Sequence, residues 1–230
     1  MPEGTRVQAM FSGIAGRYDL LNHVLSGGAD FYWWFRMARA SGAAPGRRYL
    51  DVAAGTGDSS LALARRGAEV VSTDFTHAML RLGPAKFARK GKKDLIWASA
   101  GADAQALPFR DGTFDGLTIC YGIRNVEDRA RAFREFQRVL KPGGRLTVLE
   151  FSRPRFAWLR AFYDLYSLRI LPAIGGWISG DRSAYTYLPE SIRAFPDQPA
   201  LAAEIRAAGF REVGWTNLTG GIVALHVGTK

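Results

Sequence analysis

"YLDVAAGTGDSS", residues 49–60, is the stretch on which the fold reading turns. "YLDV" (49–52) is a short buried strand with one acid in it, Asp51. Gly55-Thr56-Gly57 then makes a turn, and "SSLALARRG" (59–67) is a helix that ends at Gly67. Gly55 and Gly57 let the backbone turn tightly and come close to a ligand. The spacing also discriminates between ligands. A dinucleotide fingerprint wants a third glycine where Ser60 stands, and a phosphate-binding P-loop wants a lysine where Asp58 stands. The loop therefore favours a ligand without phosphate. Asp74 ends the next strand, "EVVSTD" (69–74), where a carboxylate can accept both hydroxyls of a ribose. The competing role for Asp74 is to cap a helix starting near Thr76.

The alternation continues on the C-terminal side. "THAMLRLGPAKFARK" (76–90) is helical with a break at Pro84, "DLIWAS" (94–99) and "TFDGLTICYG" (113–122) are strands, and "DRARAFREFQRVL" (128–140) is a helix stopped by Pro142, Gly143 and Gly144. "RLTVLEFS" (145–152) is a fifth strand. Strands separated by helices of this length pair in parallel with right-handed crossovers. "ADAQALPFRDGTFD" (102–115) puts Asp103 in the loop after the third strand, where it could read an adenine edge walled by Leu107, Pro108 and Phe109. Residues 153–198 form an aromatic-rich helical insertion broken by Pro172 and Gly175–Gly176. "LAAEIRAAGF" (201–210) is a helix, and "REVGWTNLT" and "IVALHVGT" flank Gly220–Gly221 as a closing hairpin.

On the N-terminal side, residues 6–43 form a helical lid. "GGAD" (27–30) breaks it, with Asp30 as N-cap of a helix that carries five aromatics in "DFYWWFR" (30–36). One face, Phe31 with Trp34 or Phe35, is expected on the sheet. The other, around Tyr32 and Trp33, is left for an apolar substrate, the bilayer interface, or simply a crowded core.

Bulk properties narrow the class. The protein has 230 residues, which suits one domain over 1–230. The net charge of +10 fits nucleic acid, an anionic membrane or an acidic ligand without choosing among them. "KFARKGKK" (86–93) reads as a solvated helix end. Cys120 is the single cysteine, so neither an internal disulfide nor a Cys-rich zinc site is expected, and no metal site is assigned. With no signal-peptide pattern and no apolar run of spanning length, the expected location is cytoplasmic, with peripheral membrane contact.

These pieces together resemble a class I S-adenosylmethionine-dependent methyltransferase. The resemblance implies a Rossmann-like α/β fold, a seven-stranded mostly parallel sheet ending in an antiparallel hairpin, and S-adenosyl-L-methionine as cofactor. Ala53 stands where that class commonly has glycine. A nucleic-acid acceptor is disfavoured: "CYGIRNVED" (120–128) lacks the prolines of the amino-methylating enzymes, and Cys120 follows Ile119 inside a strand rather than a proline.

Six further blocks are more specific: "YDLLNHVLSGGADFYWW" (18–34), "TICYGIRNVED" (118–128), "RVLKPGGRLTVLEFS" (138–152), "YDLYSLRILPAIG" (163–175), "AYTYLPESIRAFPDQ" (184–198) and "NLTGGIVALHVGTK" (217–230). They resemble the C-methyltransferase family of menaquinone and ubiquinone biosynthesis from about residue 10 to the C-terminus. The block at 18–34 departs from the family at Asp30, where a histidine is usual. The resemblance implies cofactor contacts at Thr56, Asp74, Asp103, Ala104 and Cys120. Asp51, Gly55 and Gly57 join them from the loop reading.

The family methylates a ring carbon of a polyprenylated quinol. A phenol titrates near 10, and a nearby cation favours the more nucleophilic phenolate. Arg124, just beyond the fourth strand, is the candidate cation; the alternative is a surface ion pair with Glu127 or Asp128. Asn125 could hydrogen-bond the same oxygen or its partner across the ring. Tyr18, with Asp19 beside it, could close over the pocket, relay a proton or simply anchor its helix. Glu150 is left behind the site. The expected reaction is demethylmenaquinol to menaquinol. Alternatives are a ubiquinone precursor, another phenol, or a non-catalytic scaffold. Expected partners are polyprenylated demethylmenaquinol and the inner face of the membrane, with no specific nucleic acid; a homodimer is compatible with the reading.

Overall fold

The computed structural model describes residues 12–13, 15–166 and 183–230. Two helices come first, α1 (Tyr18–Leu25) and α2 (Ala29–Ser41). Then follow β1 (Arg48–Val52), α3 (Asp58–Ala64), β2 (Glu69–Asp74), α4 (His77–Leu80), α5 (Gly83–Arg89), β3 (Ile96–Gly101) and β4 (Phe114–Cys120). After β4 come α6 (Arg129–Val139), β5 (Leu140–Phe151), α7 (Ala157–Leu165), α8 (Ser183–Ala194), α9 (Gln198–Ala207), β6 (Arg211–Leu218) and β7 (Val223–Thr229).

The seven strands make one sheet in the order β3-β2-β1-β4-β5-β7-β6. β1 to β5 pair in parallel, and β7 runs antiparallel to both β5 and β6. The expected fold class is therefore observed, hairpin included. The sheet grows outward from β1 through β2 to β3, and the backbone then returns to lay β4 on the other side of β1. That reversal opens a crevice at the carboxyl ends of β1 and β4, where open α/β sheets bind ligands. Alternation along each strand covers both faces. Leu50, Val52, Leu117 and Ile119 pack with Phe133 and Phe136 of α6 and Ile205 of α9. Tyr49, Val70 and Leu149 pack on the other side with Trp33 and Met37 of α2 and Leu61 of α3.

Several boundaries move. β3 starts at Ile96, because Lys93–Leu95 form a 3-10 turn. The Pro142-Gly143-Gly144 run does not end the helix; α6 stops at Val139 and the run lies inside β5. There the pairing jumps from Phe114–Leu140 to Gly116–Arg145, the irregularity that a strand proline and glycines impose. Pro84 falls in the first turn of α5, where its missing N–H costs nothing. The readings at Pro172 and Gly175–Gly176 lie outside the described residues, as does the lid before residue 12.

The aromatic helix departs from expectation at Trp33 and Phe31, while Tyr32 faces outward as expected. Trp33 is buried at 5 % exposure, while Phe31, Tyr32 and Phe35 are all exposed. The inner stripe is Asp30, Trp33, Met37, Ala38 and Ser41, a 3.6-residue repeat anchored by the residues after the aromatic run. The Trp33 indole N–H donates to Thr219 Oγ1 at 2.8 Å, which satisfies its polar edge in the core. Asp30 is not the N-cap either. Gly28, in a left-handed conformation, takes that place, and Asp30 enters the first turn with its side chain buried.

Candidate active site

The glycine loop leaves β1 at the crevice. Ala53 takes a φ of 54, a conformation that costs an L-residue about 1–2 kcal/mol. This explains the usual preference for glycine at that place. Gly57 has a φ of 92, and a Cβ there would overlap the Phe87 ring. Gly55 has a φ of 57, and a Cβ on it would touch Met79 and Tyr18. The loop is thus held with its backbone bare and its Cα edges against neighbours.

Asp51 lies behind this loop rather than on its surface. It is fully buried, and its carboxylate accepts from Ser59 and Ser60 hydroxyls at 2.6 Å each and from Thr118 at 2.7 Å. It thereby ties β1 to the start of α3 and to β4. Burial pushes its carboxyl up to about 6 against those three hydrogen bonds.

Asp74 serves the loop and leaves capacity for more. One carboxylate oxygen accepts the Gly55 N–H at 2.8 Å and the other the Thr76 N–H at 2.7 Å. The capping role and the ligand role are therefore compatible. An ionised carboxylate has about four lone-pair sites, so with the two amides and the Thr76 side chain bonded to it one remains for a ribose hydroxyl. Burial raises its pKa, with the Thr76 and Gly55 amides opposing. Asp103 follows β3 in a turn bridged to Ala106, and its carboxylate accepts the Gln105 N–H at 2.9 Å. Ala104 is buried beside it. Cys120 ends β4, buried at 6 % exposure, and burial pushes its thiol well above the usual range. A thiol kept protonated in this way is no nucleophile.

By sequence, Lys86 belongs to a solvated run. Arg89, Lys90 and Lys93 are indeed exposed, but Lys86 is buried. Its ammonium pairs with Asp19 and Asp58 at 2.7 Å each and donates to Thr56 Oγ1 at 3.2 Å. Thr56 in turn donates to Asp19. One lysine therefore latches α1 onto the glycine loop. No sequence signal marked it, because its stem packs from α5, far from Asp19 in the sequence.

A cavity of about 470 Å³ is bounded by α1, α2, α7, α8 and the segment after β4. Its wall is mostly apolar and aromatic, with Trp33, Trp34, Phe151 and Phe162 among the lining residues, together with Tyr18, Tyr121 and Arg124. Arg124 does not pair with Glu127 or Asp128. It forms a buried ion pair with Glu150, Nη1 to Oε1 at 2.8 Å, and Nη1 also donates to the Tyr121 carbonyl at 2.5 Å. Burial opposes the Arg124 charge, but Glu150, with smaller help from Tyr18 and Tyr187, outweighs it, so the guanidinium stays charged. Its Nε–H is buried without a hydrogen-bond partner among the described residues. The Trp34 indole N–H and the Tyr121 hydroxyl, also lining this cavity, are orphaned in the same way. Tyr18 spans both halves of the site, and burial raises its pKa, so it remains a phenol. Asn125 is one step back: its carbonyl accepts the Tyr187 hydroxyl at 2.7 Å, and Tyr187 lines the cavity.

A bare glycine turn, an acid at the end of the next strand and an adjoining apolar cavity define a small-molecule methyltransferase site. Solved structures share the frame. A SAM-dependent methyltransferase from Aquifex aeolicus superposes with a TM-score of 0.62 at 17 % identity, covering 84 % of this protein and 87 % of that one. The [4+2]-cyclase SpnF gives 0.74 at 20 % identity, covering 100 % and 97 %. At such identities the likeness is one of fold.

The protein belongs to the ubiE/COQ5 methyltransferase family, whose model matches residues 2–230. It is an S-adenosylmethionine-dependent methyltransferase. The demethylmenaquinone methyltransferase of Streptomyces avermitilis is 49 % identical over 225 residues, covering 97 % of this protein and 94 % of the relative. That of Mycolicibacterium vanbaalenii is 48 % identical, with shares of 97 % and 94 %. The ubiquinone/menaquinone biosynthesis C-methyltransferase UbiE of Teredinibacter turnerae is 47 % identical, with shares of 98 % and 91 %.

Proposed function

We propose that this protein methylates a ring carbon of demethylmenaquinol to give menaquinol, and that the cavity beside Arg124 receives the ring. The observation that carries the reading is the cavity wall: mostly apolar, yet holding three buried donors without partners, on Trp34, Tyr121 and Arg124. Unpaired buried donors cost about 1–3 kcal/mol each unless a ligand meets them. A hydroquinone offers two oxygens across a flat apolar ring and suits such a wall.

Bound S-adenosylmethionine supplies an already activated sulfonium methyl. Thr56, Asp74, Asp103 and the bare backbone at Gly55 and Gly57 are the groups that would hold it. The protein's remaining tasks are to align the ring carbon, exclude water and favour the phenolate. Arg124 has its Nη1 held by Glu150, so it offers the ring oxygen an oriented donor beside a largely neutralised charge. Tyr18, kept protonated by burial, lines the same cavity.

The exposed aromatics support a second, coarser reading: peripheral contact with a lipid surface. Phe31, Phe35, Phe156, Trp158 and Phe162 are all exposed on α2, α7 and the approach to α7, the helices that wall the cavity. A polyprenyl tail could leave the cavity between them. No helix among the described residues is long and apolar enough to cross a membrane.

The decisive experiment supplies purified protein with S-adenosylmethionine and a short-chain demethylmenaquinol kept reduced. Menaquinol should appear by mass spectrometry; its absence overturns the reading, and preference for a ubiquinone precursor in competition redirects it. Replacing the ion pair as a unit, Arg124→Gln with Glu150→Gln, avoids stranding a buried carboxylate. It should leave cofactor affinity unchanged by calorimetry and lower turnover about 100-fold, the typical worth of a positioned donor.

A further inference from the structure

Methylating a ring carbon releases one proton, and the groups described so far are poor acceptors of it. Arg124 is held charged by its pair with Glu150. Glu150 is itself occupied by the Arg124 guanidinium and the Phe151 N–H. Burial keeps the phenols of Tyr18, Tyr121 and Tyr163 protonated. Among the described residues, one carboxylate lines the cavity, and it is Asp30.

Asp30 is nearly fully buried in the first turn of α2. Its Oδ2 is hydrogen-bonded to Nδ1 of His23, and its Oδ1 accepts the Ser26 hydroxyl at 3.0 Å. His23 lies on α1, stacks on the exposed Phe31 ring, and has a side chain 31 % exposed against 5 % for Asp30. The pair therefore crosses the wall from the cavity to solvent. The other two histidines are elsewhere. His226 is buried in β7 with Nε2 bonded to the Gln198 carbonyl, and His77 packs against Gly101.

We infer that Asp30 is the proton acceptor of the methyl transfer and that His23 carries the proton from it to solvent. The inference rests on the quinol reading above. As the acceptor O–H bond breaks, its electron pair moves into the ring and the proton passes to the Asp30 carboxylate. The ring carbon forms its bond to the sulfonium methyl while the carbon–sulfur bond breaks and its pair stays on sulfur. At rest the carboxylate accepts the His23 Nδ1–H. Once Asp30 is protonated, the part-exposed imidazole exchanges through water to its Nε2–H tautomer, takes the Asp30 proton at Nδ1 and releases the Nε2 proton to water. The C–H proton lost as aromaticity returns is taken by the emptied carboxylate and restores the ring hydroxyl. One proton leaves per turnover, as the overall reaction requires.

A purely structural role for the pair, stapling α1 to α2, makes different predictions. Asp30→Asn keeps the shape and a hydrogen bond. It should bind S-adenosylmethionine and melt as wild type does, yet turn over about 100-fold more slowly, the usual worth of a general base. Turnover within about threefold of wild type would overturn the assignment. His23→Ala removes a partly exposed ring and is the safer variant for folding. It should lose about tenfold in turnover and regain it when imidazole is added. Wild-type turnover in His23→Ala, or a loss that imidazole does not restore, overturns the relay whatever Asp30→Asn does. Wild-type protein must convert demethylmenaquinol in the same assay. If it does not, the acceptor reading fails; if it does and both variants match it, the relay alone fails.

Discussion

Asp51 shows how a single buried group gives this protein a pH dependence unrelated to its chemistry. Its carboxyl rises from 3.8 to about 6 because burial outweighs the Ser59, Ser60 and Thr118 hydrogen bonds. A folded-state pKa above the unfolded value means that the native state holds a proton which the unfolded state has released. The stability tied to that proton is fully present below about pH 4 and is lost as pH rises through about 6, on the order of 3 kcal/mol in all. Asp51→Asn should remove that segment of the slope, read as urea midpoints between about pH 4 and pH 7. Parallel profiles for variant and wild type would show that Asp51 does not titrate in this window. The same residue was legible in the sequence as belonging to the glycine-loop motif. Its role as a hub was not, because Thr118 reaches it only through the pairing of β1 with β4.

Among elements, the contact of α1 with the glycine loop is the most informative. α1 lacks a side-chain cap and buries one residue, Leu21, so little besides tertiary contacts fixes it. Lys86 provides such contacts, bridging Asp19 on α1 to Asp58 and Thr56 on the loop side. Lys86→Met keeps the apolar stem and removes the bridge. It should weaken cofactor binding about tenfold by calorimetry, ~1.4 kcal/mol, and speed proteolysis within 18–25, with turnover at saturating cofactor little changed. Unchanged affinity would mean that α1 covers the loop without holding it. α2 carries the contrasting lesson. A run of five aromatics cannot decide which ring goes inside, and the decision fell to the spacing of Asp30, Trp33, Met37 and Ser41.

Over the whole molecule, a net charge of +10 and a set of exposed aromatics point the same way. Trp158 is 71 % exposed and Phe162 63 %, beside a cavity suited to the head of a lipid-like acceptor. Amphipathic rings favour the membrane interface, and basic residues such as Arg39 favour anionic headgroups. Vesicles containing anionic lipid should bind the protein, less so at high salt. Phe35→Ser with Trp158→Ser should reduce binding about tenfold, while activity on a short-chain acceptor in solution stays intact. Equal binding of variant and wild type would assign these rings another role.

The sequence by itself determined the sheet, the glycine loop and the acid that follows it. Strand and helix periodicities are local, and the loop needs glycines at fixed positions because Gly57 has no room for a side chain. It also marked Asp74, Asp103 and Arg124, each at or just past the end of a strand, and Tyr18, from its place in the N-terminal block, as a candidate set. Only the tertiary structure decided which groups those residues meet. The Arg124–Glu150 pair joins residues 26 positions apart, the Lys86–Asp19 pair joins residues 67 apart, and Trp33 bonds to Thr219 across 186. Those partnerships arise from packing between elements. Packing depends on which faces of separate helices and strands meet, and local sequence pattern carries no term for that.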